Sequence, residues 1–322
     1  MTMRAVRIRE PGGPDVLQIG EVELREPGPH EVRVRVAAAG LNRADCLQRM
    51  GVYPAPPGAL QDVPGLELAG TIEAVGEAVR EREIGERVMA ITAGGAMAEY
   101  ALLHARECLA VPDGLSLEDA AALPEAFITA FDALEQASFR AGETALIHAV
   151  GSGVGTAAVQ LVRHLGGRSI GTSRTETKLE RARELGLDEA IHVTDKTFAK
   201  AVRSLGGADV ILDFIGAAYL EENVKAVNLR GRIVHIGLLG GASGTLNLGR
   251  LLQKRVTLIG TVLRSRPIEE KIALIQRFAR LVPAFGDALK PVVADVLPMA
   301  EIARAHERIE GGDVFGKLIL RW

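Results

Sequence analysis

The run His148-Ala149-Val150-Gly151-Ser152-Gly153-Val154-Gly155 sets a glycine-rich turn between an apolar stretch, TALIHAV, and an amphipathic one, GTAAVQLVRHL. Glycines let the backbone turn sharply and come close to a pyrophosphate, whose charge is stabilised by free amides and a helix N-terminus. Gly151, Ser152, Gly153 and Val154 are therefore the candidate pyrophosphate contacts. The spacing is not a strict G-x-G-x-x-G, so a packing turn is the competing reading. The strand before it, the helix after it and the further αβ units beyond favour a dinucleotide site.

The next signal bears on which dinucleotide. An NAD site usually carries Asp or Glu about 20 residues on, at the end of the second strand, to bind the ribose 2′-hydroxyl. Here Ser173 lies 22 positions beyond Gly151, within GTSRT, and no acid stands at the strand end. Ser173, Arg174 and Lys178 suit a 2′-phosphate, which an acid would repel. NADPH is expected over NADH, although Glu176 is close by and Arg174 and Lys178 also read as solvated charges at a helix start. The seven histidines show no H-x-x-x-H spacing. His148 and His235 sit in apolar strands and read as satisfied core residues, and Asp213 reads as a carboxylate tied to backbone. No metal site is expected.

These residues need elements to hold them. From Thr144 onward, apolar runs alternate with amphipathic stretches of about ten residues: TALIHAV, RSIGTS, EAIHV, ADVILDFIG and GRIVHIG. That is the pattern of right-handed βαβ crossovers and a doubly wound parallel sheet, its strands apolar on both faces. The first hundred residues instead alternate charge with Val, Ile or Ala at period two, as in RAVRIR and EVRVRVAA, with Gly- and Pro-containing turns, and read as an irregular β-rich domain. Ser116 in SLED is a candidate N-cap for a short helix ending at Pro124. The tail from 291 returns to strand, helix, strand.

Composition narrows the function classes. The chain has 322 residues, 38 Lys+Arg against 41 Asp+Glu, and 48% hydrophobic residues, as expected of two globular domains. The basic residues are scattered, which argues against nucleic acid as partner. Cys46 and Cys108 are the only cysteines, so no disulfide framework is expected and a reducing cytoplasm is the natural location. No run approaches the roughly 18 apolar residues of a membrane span, and no signal-peptide core is visible.

Together these motifs resemble the zinc-independent quinone oxidoreductases of the medium-chain dehydrogenase/reductase superfamily. The resemblance rests on LNRADCLQRMGVYPAPPG, VPGLELAGTIEAVG, ALPEAFITAF, LIHAVGSGVGTAAVQL and FGKLILRW, and extends over essentially the whole chain. NRADCLQRMGVYPAPPG, PEAFITAF and TVLRSR look especially like the branch containing the tumour-suppressor-inducible quinone oxidoreductase. The zinc members ligate metal where this chain has Asn42 and Leu66, and neither can serve as the thiolate or imidazole ligand of such a site.

The resemblance implies a GroES-like substrate domain over 1–120 and 290–322, a Rossmann NADP(H)-binding domain over 121–289, and an active cleft where they meet. It implies Asn42 and Tyr53 facing the quinone, Thr129, Gly237, Leu238, Leu263 and Arg264 lining the nicotinamide half, and Lys317 as a closing cofactor contact. It further implies a homodimer through the edge strand near 254–263; an interior strand is the alternative. Two departures stand out: Val193 replaces a family Tyr, and Glu125 is unusual at its position. The activity implied is NADPH-dependent reduction of a quinone. Its rivals are an alkenal or enone double-bond reductase on the same site and a catalytically silent, crystallin-like NADPH-binding protein.

Overall fold

The structure is a computed structural model that describes all residues, Met1–Trp322. The chain divides into two compact units, Met1–Ile128 with Leu263–Trp322, and Thr129–Val262. The second of these boundaries differs from the 290 that the resemblance implies. Residues from Leu263 onward pack into the first unit: the Lys271 ammonium pairs with buried Glu107 at 2.9 Å, and Phe278 and Phe127 both meet Phe285.

The first unit is built on a seven-stranded sheet. Its central strand, Glu31–Leu41, pairs antiparallel with Glu67–Val75 on one side and with the closing strand Lys317–Arg321 on the other. The tail therefore belongs to this unit, with Leu318 opposite Leu41 and Ile319 opposite Gly40. The alternation read in EVRVRVAA is real: Val32, Val34 and Val36 are buried in the core of the sheet with Leu68, Ile72 and Leu318. Gly40 is required by this register, because a Cβ there would lie 2.3 Å from a Glu67 carboxylate oxygen and 2.7 Å from the Ala121 carbonyl.

The second unit is a six-stranded, all-parallel sheet. In spatial order its strands are Glu189–His192, Arg168–Ser173, Thr144–Ile147, Ala208–Asp213, Val227–His235 and Thr257–Gly260. Numbered within the unit this is 3-2-1-4-5-6, the doubly wound order whose switch point lies between Thr144–Ile147 and Ala208–Asp213. Thr257–Gly260 is the edge strand, pairing only with Val227–His235. No helix of the protein is long and apolar enough to cross a membrane.

Candidate functional site

In the second unit, the first strand ends at Ile147 and the helix Gly153–His164 begins after the glycine turn. Ser152 is its N-cap, with Oγ accepting from the Gly155 amide at 3.1 Å. The Gly153 and Val154 amides precede the first intrahelical bond and have no partner in the chain, so two donors point out of the turn. Gly151 completes the bend, and Ala149 is held left-handed at φ 45°, a strained conformation for a residue with a Cβ. At Gly155 a Cβ would lie 2.5 Å from the Ala149 carbonyl, so the helix packs against the turn only with glycine there.

A buried polar chain runs beneath this turn across the carboxyl ends of four strands. Asn223 Nδ2 donates to Asp213 Oδ2 at 3.1 Å, so its Oδ1 faces His148, and His148 Nε2 must be the donor at 2.7 Å. Nδ1 then accepts from the Thr172 hydroxyl at 2.8 Å. Burial holds His148 in the neutral form by lowering its pKa. Burial also works against ionising Asp213, but His235, His148 and the amides of Gly216 and Ile215 outweigh it and keep its carboxyl below the usual range. The core reading of His148 and the backbone-tied reading of Asp213 match this geometry. Asn223, on the helix Ala217–Ala226, carried no sequence signal, since its partners His148 and Asp213 come from two strand ends.

At the second strand end, Ser173 Oγ accepts from the Thr175 amide at 3.0 Å and Arg174 is exposed. Lys178 is partly buried one turn into the helix Glu176–Glu184. No acidic side chain occupies the end of Arg168–Ser173. Val193 is a core residue against Ile170 and Phe198. Gly237 packs under Phe214, and Leu238 is 55% exposed. Thr129 has a buried Oγ1 with no hydrogen-bond partner.

In the first unit, Lys317 Nζ donates to three oxygens: Glu67 Oε1 at 2.5 Å, Asn42 Oδ1 at 2.6 Å and the Leu41 carbonyl at 2.8 Å. Asn42 in turn donates to Glu67 Oε1 at 3.0 Å and to the Gly40 carbonyl at 3.3 Å. Both amide hydrogens of Asn42 and all three of Lys317 are thus committed inside the cluster. Glu67 is fully buried, and its Oε2 accepts the Glu125 amide at 2.8 Å, capping the helix Pro124–Gln136. Asp45 accepts the amides of Asn42 at 2.8 Å and Gly65 at 2.9 Å. Burial nevertheless raises its pKa to about 6, against the pull of those amides and of Lys317 and Arg264.

Arg264 is buried and donates to the Ala93 carbonyl at 2.7 Å, the Tyr53 carbonyl at 3.1 Å and Gln48 Oε1 at 2.6 Å. Its guanidinium lies 5.2 Å from the Tyr53 ring centroid, a cation–π contact that orients the ring. Leu263 is buried beside it. Tyr53 is half-buried and its hydroxyl has no hydrogen-bond partner in the chain; burial raises its pKa. Lys317 and Arg264, which the resemblance implies as cofactor contacts, therefore have donors engaged within the first unit. Asp45 and Gln48 escaped sequence reading, although Asn42-x-x-Asp45 at a helix start was a visible capping pattern.

Metal fits poorly here. Leu66 has no donor atom and is buried, the Asn42 amide is spent, and no group of three or more His, Cys, Asp or Glu is placed to hold an ion.

A family model described as an alcohol dehydrogenase GroES-like domain matches residues 28–113, and one described as a zinc-binding dehydrogenase matches 153–280. A quinone oxidoreductase of Lama guanicoe is 33% identical, with 99% of this chain and 97% of the relative covered. A 2-haloacrylate reductase of Burkholderia sp is also 33% identical, covering 99% of both. The solved quinone oxidoreductase of Thermus thermophilus, described also in complex with NADPH, superposes with a TM-score of 0.85 at 31% identity, covering 99% of this chain and 100% of that one. A structure described as an NAD-dependent alcohol dehydrogenase has a TM-score of 0.89 at 35% identity with the same coverage.

Proposed function

This chain belongs to the quinone oxidoreductases of the medium-chain dehydrogenase/reductase superfamily, and from that premise we propose that it reduces quinones with NADPH, by hydride transfer and without zinc. A reduced nicotinamide, when bound, supplies the hydride. The unpartnered Gly153 and Val154 amides suit its pyrophosphate, the orphan Thr129 hydroxyl suits its carboxamide, and Ser173, Arg174 and Lys178 suit a 2′-phosphate. The exposed, acid-free strand end favours NADPH even against the NAD-dependent description of one structural neighbour.

The observation that carries the reading is Asn42 locked between Lys317 and Glu67, at the position where the resemblance implies a ligand in the zinc members. With no metal to polarise the acceptor, hydrogen bonding must do so. Asn42 acts as a positioning residue, and the Tyr53 hydroxyl is the free donor that orients the carbonyl oxygen. The resemblance to a 2-haloacrylate reductase supports conjugated double bonds as a second acceptor class. The edge strand Thr257–Gly260, with Leu258, Val262 and Leu252 exposed near it, suits a homodimer.

The test is fluorescence titration with NADPH and NADH, followed by steady-state rates with 9,10-phenanthrenequinone, naphthoquinones and α,β-unsaturated aldehydes. Tighter NADPH binding and quinone preference are expected. Tighter NADH binding overturns the cofactor assignment, and an enal preference of about tenfold overturns the quinone one.

A further inference from the structure

The cluster around Glu67 contains one acidic side chain with nothing to bind. Glu125 opens the helix Pro124–Gln136, where a carboxylate would ordinarily gain from the helix N-terminus. That position is already taken, because Glu67 Oε2 accepts the Glu125 amide at 2.8 Å. Glu67 also holds Lys317 and Asn42 on its other oxygen. The Glu125 carboxyl has no hydrogen-bond partner in the chain, yet it is only half-buried and so reachable from outside.

Its electrostatic surroundings favour the acid form. Burial is the largest influence, followed by the Glu67 carboxylate and then, more weakly, Asp45; Lys317 and Arg264 oppose them, and Tyr53 is the remaining titratable neighbour. Lys317 is tied to Glu67, and Arg264 is tied to Gln48 and two carbonyls. The Glu125 pKa is pushed up to about 8, so the side chain carries a proton at neutral pH. An O–H donor is thus held beside a fixed negative charge without making a hydrogen bond in the chain. A protonated carboxyl that is reachable from outside and has no partner in the chain is free to donate to a bound ligand.

We propose that Glu125 is the proton donor of the reduction, delivering its carboxyl hydrogen to the acceptor oxygen. This rests on the reading of the chain as a nicotinamide-dependent reductase. Hydride from the reduced nicotinamide adds one hydrogen and two electrons to the conjugated acceptor, and the electron pair displaced appears on oxygen. The Glu125 O–H bond breaks as a new O–H bond forms there, giving a hydroquinone, or an enol from an enone. The carboxylate left behind takes its next proton from water. Tyr53 orients the same oxygen, and Glu67 keeps Glu125 protonated between turnovers.

Two measurements test this with the full chain. The first is 13C NMR of glutamate-labelled, cofactor-free protein, in which the carboxyl resonance absent from Glu125→Gln is the Glu125 signal. A midpoint near 8 is expected; a midpoint in the usual carboxylate range overturns the proposal. The second is single-turnover oxidation of NADPH. Glu125→Gln keeps the size and a hydrogen-bond donor but has no proton to give, so it is expected to bind NADPH normally and slow transfer about a hundredfold. Its rate should lose the alkaline decline expected of wild type near the Glu125 midpoint, and Glu125→Asp should restore part of the rate.

Because weak electrophiles depend more on protonation, the loss should be larger for enones than for 9,10-phenanthrenequinone. Wild-type rate and pH profile in Glu125→Gln overturn the proposal alone. A wild-type protein that reduces no acceptor overturns the functional reading and the proposal with it.

Discussion

Lys317 Nζ and Glu67 Oε1 stand 2.5 Å apart, both side chains buried, one from the closing strand and the other from Glu67–Val75. The central strand Glu31–Leu41 lies between those two strands, and Gly40 leaves the gap through which the pair meets. A buried ion pair contributes little net stability against an apolar replacement, but removing one partner strands the other charge. Lys317→Met or Glu67→Gln alone should each cost about 3–5 kcal/mol, with the double variant losing less than their sum. Trp322, the single tryptophan, packs on the core of this unit. Its fluorescence during urea unfolding reports the loss where it occurs, and strictly additive losses would refute the coupling.

Gly40 supplies a sharper probe of function. A methyl group there meets a Glu67 carboxylate oxygen at 2.3 Å and the Ala121 carbonyl at 2.7 Å, and the carboxylate cannot move without breaking its Lys317 and Asn42 bonds. Gly40→Ala should lower quinone turnover by about a hundredfold, the scale of a misplacement of roughly 1 Å. NADPH affinity, measured by fluorescence titration, should hardly change, because the glycine turn lies in the other unit. A parallel loss of NADPH binding would contradict that separation.

The parallel sheet was legible because its central strands, Thr144–Ile147 and Ala208–Asp213, are apolar on both faces and helices follow within a few residues, so the signal is local. The placement of the tail was not, since VVADVLP and FGKLILRW read equally well as strands of either sheet; only the pairing of Leu318 with Leu41 decides. The glycine turn was legible for the same local reason. The commitments of Asn42, Lys317 and Arg264 were not. Whether a cation faces a phosphate or a carboxylate depends on which chain segment lies opposite, and Glu67, Gln48 and Tyr53 are remote in sequence. Glu125 was visible only as an oddity, because its lack of a partner follows from Glu67 taking the helix amide.

Cofactor choice turns on Arg174, exposed just beyond the strand Arg168–Ser173. Arg174→Ala should weaken NADPH about tenfold, the value of one charge-assisted phosphate contact, and leave NADH within about twofold. Ser173→Asp should go further and reverse the preference, since an acid at this place binds a 2′-hydroxyl and repels a 2′-phosphate. Fluorescence titration of both nucleotides checks the two variants, and equal losses for both nucleotides would exclude a 2′-phosphate role.

On the edge strand, Leu258 is 37% exposed beside backbone groups that no strand of this chain pairs. Lysine on an exposed edge opposes strand addition. Leu258→Lys should therefore convert a dimer to a monomer in sedimentation velocity while leaving NADPH binding intact. A wild-type monomer at micromolar concentration would refute the dimer outright.

Acid sensitivity should arise far from the proposed chemistry, at His306. Arg49 can only donate, so its Nη1 contact at 3.1 Å makes His306 Nδ1 the acceptor and places the ring hydrogen on Nε2, which is buried without a partner. Burial first, then the charges of Arg49 and Arg43, push the pKa down to about 3. In the unfolded chain the same ring takes up a proton at about pH 6.5. Below that pH the unfolded state therefore binds one proton more than the folded state, and stability falls as pH falls until the folded ring protonates too. Between pH 8 and pH 5 this single residue should remove about 2 kcal/mol. His306→Asn keeps an acceptor for Arg49 and does not titrate, so urea unfolding followed at Trp322 should lose that part of the slope. An unchanged slope in the variant would assign the acid sensitivity to other groups.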